Sequence, residues 1–447
     1  MRVRDVAPVG AAAALAGGGA APAGGAHNVA ELRAGRPRRR LSGRYPLDMA
    51  TLYAGRDRET AWARAPARCA GAAARGHGVG GIRHDERMDA GSLRRQRLRS
   101  HRLSAPAETV AHAASHMLAV QAQEFWGGRW ALAARTRDEP TLGDVDAAFD
   151  RGEIVRSWTM RGTIHILPAR DLAWVIGITG ARQRQQAAGV HRAEGIDDAV
   201  AQRAERAVRG ALRGGGRLTR AELFAALETA GVSTAGQRGY HLLVLLSTRL
   251  VLCQGPVVAR EDGPTREQCF VLADEWAPDQ AAPADPLAAF FTRFVTGHGP
   301  AGVRDFAWWT GLALGVARRA ADAAVEHVEV VTERGGEPLY HCRSRASRRL
   351  PSAPRVIALP PFEESYISYA DRTVACPAHL LGEVGPARNG IVRPILVAEG
   401  EVVGVWSTSL AAGRHARLPG ARVLVPDRVE ASEVDAALAR FSHFLGR

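Results

Sequence analysis

The sequence contains no lysine, so all 59 basic residues among its 447 are arginine. This absence excludes every mechanism that needs a lysine amine, such as the phosphate-binding lysine of a P-loop or a Schiff base with a carbonyl. Cysteine is scarce too: five residues without a CxxC pair exclude a disulfide scaffold and a cysteine-rich zinc module. We therefore expect a reduced, cytoplasmic protein that holds no metal and no other cofactor.

Long apolar runs are also missing. No stretch reaches the roughly 18 apolar residues that a membrane span requires. Apolar residues nevertheless make up 46% of the chain, which is enough to fill globular cores. The two glycine patterns of the GxGxxG type lack the preceding strand and the following helix that a dinucleotide site needs. The length predicts about three domains or a larger number of small ones.

The basic excess lies mainly at the N-terminus. Residues 1–87 contain 15 arginines and 7 acidic residues, whereas residues 88–447 contain 44 and 39. The first segment is rich in glycine and alanine and lacks helical and strand periodicity, so we expect a disordered, low-complexity leader, upstream of a start near Met88. A basic arm at Arg36–Arg40 and a faint signal-peptide pattern are the alternatives.

Two segments of the first half predict helices followed by a β-hairpin. In the first segment, a helix over Ala107–Phe125 and a short helix capped by Thr141 precede two strands over Ile154–Leu167. In the second, helices over Leu218–Ala230 and Ser233–Leu246 precede another pair of strands. Helices with an appended hairpin are typical of a winged helix.

A third set of helices and a hairpin follows Pro286, and from Arg355 onward the alternation predicts strands closed by a helix over Glu433–Phe444. The expected fold class is therefore α+β, with three tandem winged-helix units, a C-terminal β-sheet or partial barrel and a disordered leader. The expected boundaries are 1–87 for the leader, 88–178, 179–280 and 281–350 for the three winged helices, and 351–447 for the β-rich region.

One polar segment in the first unit, Gln121-Ala122-Gln123-Glu124, is a candidate for chemistry. Residues i and i+2 point about 200° apart on a helix, so both glutamines can face one pocket only if the helix frays at Gly127-Gly128. A glutamine amide neither gains nor loses a proton at neutral pH, but it can hold a water beside a developing charge. Glu124 is the carboxylate alternative within reach.

This segment resembles the catalytic Gln-apolar-Gln motif of the AlkZ-like family of winged-helix DNA glycosylases. The similarity continues in order through Arg156–His165, Leu359–Tyr366, Tyr369, Asp371-Arg372, Asn389-Gly390 and Val402–Trp406, and spans roughly residues 100–430 of the 447. The resemblance implies tandem winged helices around a C-shaped DNA cleft. It also implies a monofunctional glycosylase for cationic alkylated purines of the N7-alkylguanine type, with the unhooking of interstrand crosslinks as a further option.

The resemblance implies that Gln121 and Gln123 are the catalytic residues. An alkylated purine that is already cationic is a good leaving group, so positioning a water and stabilising an oxocarbenium-like sugar would suffice. Since a bifunctional glycosylase usually forms a Schiff base through lysine, we expect an abasic product without strand cleavage.

Contacts with DNA have to come from arginine, which suits bidentate binding of phosphate. Candidates are Arg156 and Arg161 beside the first hairpin, Arg238 and Arg249 on the second unit's recognition helix, and Arg372 in the C-terminal sheet. A solvated surface or an ion pair is the alternative for each one. Trp308 and Trp309 are expected in a core, and His165 in a buried strand.

The expected partner is double-stranded DNA with alkylated purines, bound by a monomer in the nucleoid without membrane or obligate protein partner. Two other functions are consistent with the pattern. One is a non-catalytic winged-helix DNA-binding protein such as a transcriptional regulator, although no heptad pattern for dimerisation is present. The other is a protein-interaction scaffold without affinity for DNA.

Overall fold

The computed structural model describes residues 88–258, 265–280, 282–343, 354–387, 390–411 and 417–447. The expected leader, most of the tip of the second hairpin, and Asn389 of the family resemblance lie outside these ranges. Within them, no helix is both long and apolar enough to span a bilayer.

The first two predicted units supply five strands and nine helices of the described chain. The first contains α1 (Ala90–Ser100), α2 (Val110–Met117), β1 (Val120–Gln121), α3 (Phe125–Ala134), α4 (Leu142–Asp150), β2 (Ile154–Met160) and β3 (Thr163–Pro168). The second contains α5 (Leu172–Ala193), α6 (Asp198–Leu212), α7 (Arg220–Thr229), α8 (Arg238–Thr248), β4 (Leu252–Val257), β5 (Gln268–Leu272) and α9 (Ala273–Trp276).

The rest of the chain supplies the other hairpin and the C-terminal sheet. The third unit contains α10 (Pro286–His298), α11 (Val303–Thr310), α12 (Leu314–Ala323), β6 (Val328–Arg334) and β7 (Glu337–Cys342). The C-terminal region contains β8 (Val356–Leu359), α13 (Glu364–Ile367), α14 (Leu381–Val384), β9 (Ile395–Ala398), β10 (Glu401–Ser407), β11 (Gly420–Val423) and α15 (Ala431–Phe444).

Local sequence signals placed several of these elements correctly. Thr141 caps α4 in a capping box with Asp144, and Thr219 caps α7 in the same way with Glu222. In both boxes the threonine hydroxyl accepts a backbone N–H of the first turn and the acidic side chain accepts the cap's own N–H. The mixture of helices and antiparallel sheets confirms the α and β character, and the number of winged helices stays a prediction.

The first two hairpins join into one sheet. Its strand order is β1-β3-β2-β4-β5, and the link between the hairpins is the antiparallel pairing of Arg156 with Gln254. The third hairpin, β6–β7, is a separate two-stranded sheet. The expected first and second units therefore contribute to one continuous sheet.

The C-terminal strands form an antiparallel sheet in the order β11-β10-β9-β8. Among the described strands β8 and β11 do not pair with each other, so the sheet is open where the sequence left a partial barrel as an option. Helix α15 covers it with Phe441, whose ring centroid lies 4.8 Å from that of Trp406 and 5.2 Å from that of Trp130 on α3. The indole of Trp130 also donates to the carbonyl of Ala358 at 2.9 Å. The first unit and the C-terminal sheet thus have a common core.

The helix expected over Ala107–Phe125 is wrong beyond Met117. Leu118 follows α2 with a positive φ of 63°, and the chain then enters β1, where Gln121 pairs with His165 of β3. The backbone of Gln121 is thus committed to a ladder with residues that lie far along the sequence. A helical pattern in a local window cannot register such a partner.

Gly127 and Gly128 do not break a helix, because both lie inside α3. A Cβ built on Gly128 would lie 2.5 Å from Cβ of Ala122 and 2.8 Å from Cδ1 of Ile166. The glycine therefore lets α3 approach β1 and β3 more closely than any other residue would. Its function is packing, and the fraying expected at this point is wrong.

We expect Gly128→Ala to destabilise the protein by about 1–3 kcal/mol, because the added methyl overlaps the chain between the two glutamines. Gly177→Ala on α5 is the matched control, since no atom lies within 4 Å of its added methyl. Replacing this helical glycine should stabilise the fold by about 0.5 kcal/mol. Urea denaturation measures both changes, and equal effects of the two substitutions would contradict the close packing.

Candidate active site

Gln121 is held from both its backbone and its side chain. Its backbone N–H donates to Oε1 of Glu364 at 2.6 Å. Its side-chain Oε1 accepts a hydrogen bond from Nη2 of Arg161 at 3.3 Å. The residue is 6% exposed, so the amide is presented from a nearly buried position.

Glu364 is a fully buried carboxylate at the start of α13. Besides Gln121 it accepts hydrogen bonds from Nε1 of Trp309 at 3.0 Å and from Oγ of Ser368 at 2.5 Å. Nε2 of His298 lies 3.5 Å from its Oε2, which is ion-pair range and long for a hydrogen bond. Burial alone would raise the pKa of Glu364, but His298, His165 and the Ser368 hydroxyl together lower it to about 2. The carboxylate is therefore ionised and almost completely saturated by donors.

Three further polar side chains continue this buried cluster. Nδ1 of His298 donates to the carbonyl of Phe294 at 3.0 Å, so the contact with Glu364 attracts only when Nε2 also carries a proton. The hydroxyl of Tyr369 donates to the carbonyl of His298 at 2.7 Å and accepts from Nε2 of His101 at 2.8 Å. Burial holds the pKa of His101 well below its ordinary value. These hydrogen bonds connect the surroundings of Glu364 to His101, which follows α1.

The middle of the motif is anchored to the shared sheet. The N–H of Ala122 donates to the carbonyl of Ile164 at 2.9 Å. Its own carbonyl accepts from Nε and Nη2 of Arg156 at 3.0 and 2.8 Å. Nη1 of the same guanidinium donates to Oε1 of Gln254 at 2.8 Å. These contacts favour a positioning role for Arg156, which holds the segment between the two glutamines.

Gln123 and Glu124 lie in the bend that leads into α3. Gln123 is half-buried, and Glu124 is the N-cap residue of the helix. Partial desolvation raises the pKa of Glu124 against the opposite effect of Arg266 and Arg156. Because β1 ends at Gln121 and the chain bends at Gln123, the two side chains are not held to the 200° separation of a regular helix.

A cavity of about 350 Å³ opens beside Gln121. The residues that matter most in its lining are Gln121, Arg161, Arg182, Trp308, Phe362 and Arg372. The structure therefore brings together Gln121 and two of the expected arginines, Arg161 and Arg372. Gln123 is not part of this lining, and neither are Arg156, Arg238 and Arg249.

The remaining expected arginines lie elsewhere. Nη1 of Arg238 donates to the carbonyl of Glu194 at 2.7 Å. Arg249 follows the last residue of α8 and pairs with Asp198 at 3.4 Å. It therefore caps the end of the expected recognition helix and does not lie along its face. Both side chains are half-buried.

Arg372 was expected in the C-terminal sheet, and that placement is wrong. It lies in the loop after α13, where Oδ1 of Asp371 accepts the N–H and the hydroxyl of Thr373 at 2.9 and 2.6 Å. This local turn takes the chain out of strand geometry. The guanidinium of Arg372 lies 5.3 Å from the ring centroid of Trp308.

The aromatic pair on α11 divides between core and cavity. Trp309 is fully buried, whereas Trp308 is 39% exposed, so the expectation of a core position is wrong for Trp308. Neighbouring helical residues point about 100° apart, which lets one indole enter the core and the other face the cavity. His165 is fully buried as expected, and burial lowers its pKa to about 3.

Glu364 and Arg182 were not among the site residues predicted from the sequence. The pattern that could have indicated Glu364 is the pair Glu363-Glu364 within an apolar stretch, since acidic side chains are seldom buried without a partner. Glu363 has such a partner: its Oε1 lies 2.5 Å from Nη2 of Arg135, and both side chains are buried. Arg182 lies on the long charged helix α5 and has no comparable signal. Across the described residues, no group of three or more His, Cys, Asp or Glu side chains could hold a metal ion.

Comparisons with known proteins bear on the family and on the fold. The family model described as DNA glycosylase AlkZ-like matches residues 114–444. Among solved structures, the Streptomyces sahachiroi DNA glycosylase AlkZ superposes with a TM-score of 0.64 at 19% identity, over 81% of this chain and 98% of that chain. No curated protein matches. Since the family model covers well over half of the sequence, this protein belongs to the AlkZ-like family of DNA glycosylases.

Proposed function

We propose that the protein is a monofunctional glycosylase that hydrolyses the N-glycosidic bond of cationic alkylated purines, such as N7-alkylguanine, in double-stranded DNA. One observation carries this choice of substrate. The two titratable residues that pair with the backbone of Gln121 are not general acids at neutral pH, because Glu364 is ionised and His165 is neutral, with pKa values of about 2 and 3. Glu124, whose pKa is raised, stays the carboxylate alternative. A base that is already cationic does not need a proton from a general acid.

The orientation of the Gln121 amide follows from its partner. Arginine can only donate hydrogen bonds, so the atom that faces Arg161 is the carbonyl oxygen and the NH₂ group points away from it. This NH₂ group then donates to the oxygen of the attacking water. Gln123, two residues further along the motif, accepts a hydrogen bond from that water through its own carbonyl oxygen.

The proposed reaction balances without a protein base. The bond between C1′ and the purine nitrogen breaks, and its electron pair neutralises the positive charge of the base. The water oxygen then bonds to C1′ of the oxocarbenium-like sugar and its proton passes to solvent. The glutamines contribute position and dipoles, which are already in place before the reaction.

We also propose a domain architecture and a set of DNA contacts. Each of the three hairpins follows helices in the chain, which supports three winged-helix units with the boundaries given above. Arg161 and Arg372 face the cavity and are proposed to contact DNA there. Arg238 and Arg249 are proposed to contact the duplex from the second unit. Unhooking of interstrand crosslinks remains part of the proposed range of substrates.

We expect Gln121→Ala and Gln123→Ala to slow excision of N7-methylguanine by on the order of tenfold to a thousandfold, because each removes a preorganised dipole. The measurement is alkali cleavage of a duplex with one N7-methylguanine after single-turnover incubation. Gln202→Ala on the exposed face of α6 is the control. Undiminished excision by both variants would contradict the assignment. If the wild type binds DNA but does not excise the base, a transcriptional regulator would be favoured. If it shows no salt-sensitive binding to DNA, a protein-interaction scaffold would be favoured.

The absence of lysine predicts an intact abasic product. Without alkali or heat, the excised duplex should keep both strands whole, and borohydride should trap no protein–DNA adduct. Gel electrophoresis before and after alkali separates the two products. Robust strand cleavage without alkali would refute a monofunctional reaction.

We also propose that Glu364 is a positioning residue for Gln121. Glu364→Ala should lower the free energy of unfolding by about 3–5 kcal/mol, because it leaves His298 and the N–H donors of Gln121 and Trp309 without a buried partner. Glu364→Gln keeps an acceptor for Gln121 and should retain more stability. Its excision rate should fall more than its affinity for the duplex, since the acceptor no longer carries charge.

The charge of Glu364 also gives stability a defined pH dependence. Its pKa of about 2 in the folded protein lies below the ordinary value of 4.5, so its contribution is fully present above about pH 4.5 and is lost as the pH falls towards 2. The difference in urea stability between the wild type and Glu364→Gln should therefore shrink over that interval. A difference that stays constant from pH 5 to below pH 3 would refute the ionised carboxylate.

A further inference from the structure

We propose that the cavity beside Gln121 is a binding site for one phosphodiester of the DNA backbone, held by Arg161, Arg182 and Arg372. The proposal rests on the proposed function, since it concerns the same DNA substrate. It adds to that function a ligand for the cavity and a role for Arg182.

The charge of the cavity selects an anion. Three guanidinium groups belong to its lining, and none of the described lining residues is acidic. Positive charges that line one cavity repel one another. A phosphate removes this repulsion, whereas a cationic base in the same space would add to it.

The three arginines are arranged around the end of α11. Nε of Arg182 donates to the carbonyl of Gly311 at 2.6 Å. Gly311 has a φ of 73°, and a Cβ at this position would lie 2.9 Å from Cγ of Arg161, so glycine is required for the approach of Arg161. Arg372 lies against the ring of Trp308 in the preceding turn. Guanidinium groups held in this way lose less conformational freedom when they bind a ligand.

The remaining lining suits a sugar–phosphate unit. Trp308, Leu312, Phe362 and Ile367 provide apolar walls. The volume of about 350 Å³ lies within the range of small-ligand sites. Apolar walls exclude water and so strengthen the contact between phosphate and arginine, while they pack against the carbons of a deoxyribose.

The position of the site links binding to chemistry. Arg161 donates to the side chain of Gln121 and belongs to the same lining. A phosphodiester held there fixes the neighbouring sugar next to the Gln121 amide. The contact thus supplies the orientation that hydrolysis at C1′ requires.

The test measures coupling between one phosphate and one arginine. The probe is a fluorescent duplex with a tetrahydrofuran abasic site, in which methylphosphonates replace single phosphodiesters around that site. In the wild type, a methylphosphonate at one position should weaken binding of the duplex by about tenfold, because a charge-assisted hydrogen bond is lost. At that position the methylphosphonate should cause a smaller loss of affinity in Arg182→Gln and in Arg372→Gln, because one of the three guanidinium partners of the phosphate is already missing. Arg206→Gln, an exposed control on α6, should keep the full tenfold effect.

Salt dependence gives a second readout. Each of the two cavity variants should reduce the slope of log Kd against log salt by about 0.9, the release of one counterion. Losses that add independently at every phosphate would overturn the proposal. The same variants are also compared on abasic and intact duplexes. If the affinity lost in the arginine variants depends on whether the base is present, the cavity binds the base, and the phosphate proposal is overturned as well.

The outcome is separable from that of the proposed function. The binding probe has no glycosidic bond at the abasic position, so its coupling energies do not depend on excision. A wild type that shows the coupling but does not release N7-methylguanine would retain the phosphate site and refute the reaction. A wild type that releases N7-methylguanine but shows no coupling would retain the proposed reaction and refute the phosphate site.

Discussion

The hydrogen bond from the backbone of Gln121 to the carboxylate of Glu364 is the contact on which the site depends. It joins residues 243 positions apart and ties a two-residue strand to the C-terminal region. An ionised carboxylate is stable in a core only when donors surround it, and here Trp309 and Ser368 complete the set. Because the same carboxylate also faces His298, the third unit contributes to the position of Gln121 as well. Three regions of the chain therefore have to fold together before the motif is in place.

Close packing explains why the motif does not continue helix α2. Gly128 lets α3 approach Ala122, and Trp130 on the same helix donates to Ala358 beside the C-terminal sheet. Arg156 holds the carbonyl of Ala122 and links it to Gln254 of the second unit. Ala122, between the glutamines, thus contacts α3, β3 and Arg156, and its non-helical path is imposed by these tertiary contacts. Local propensity would have favoured a helix there.

The sequence predicted what local chemistry determines. Capping at Thr141 and Thr219 placed the starts of α4 and α7, and the β-rich run around the turn at Gly162 placed β2 and β3 nearly to their ends, because these features depend on residues near one another in the chain. The path of Gln121 and the burial of Glu364 depend on partners far along the chain, and no pattern encodes these. Trp308 shows the same limit: two adjacent indoles carry equal hydropathy, and only the position of α11 decides which faces the cavity. The absence of lysine, in contrast, constrains the chemistry whatever the fold.

The electrostatic arrangement gives a neutral amide a defined polarity. Arg161 donates to the oxygen of Gln121, which withdraws electron density and makes the NH₂ group a stronger donor. The negative charge of Glu364 lies on the backbone side of the residue, and its pKa of about 2 keeps it ionised throughout the neutral range. Neither partner changes its charge near neutral pH, so the amide keeps one orientation. A glutamine fixed in this way can direct a water without exchanging protons, and this is sufficient only when the leaving base is already positively charged.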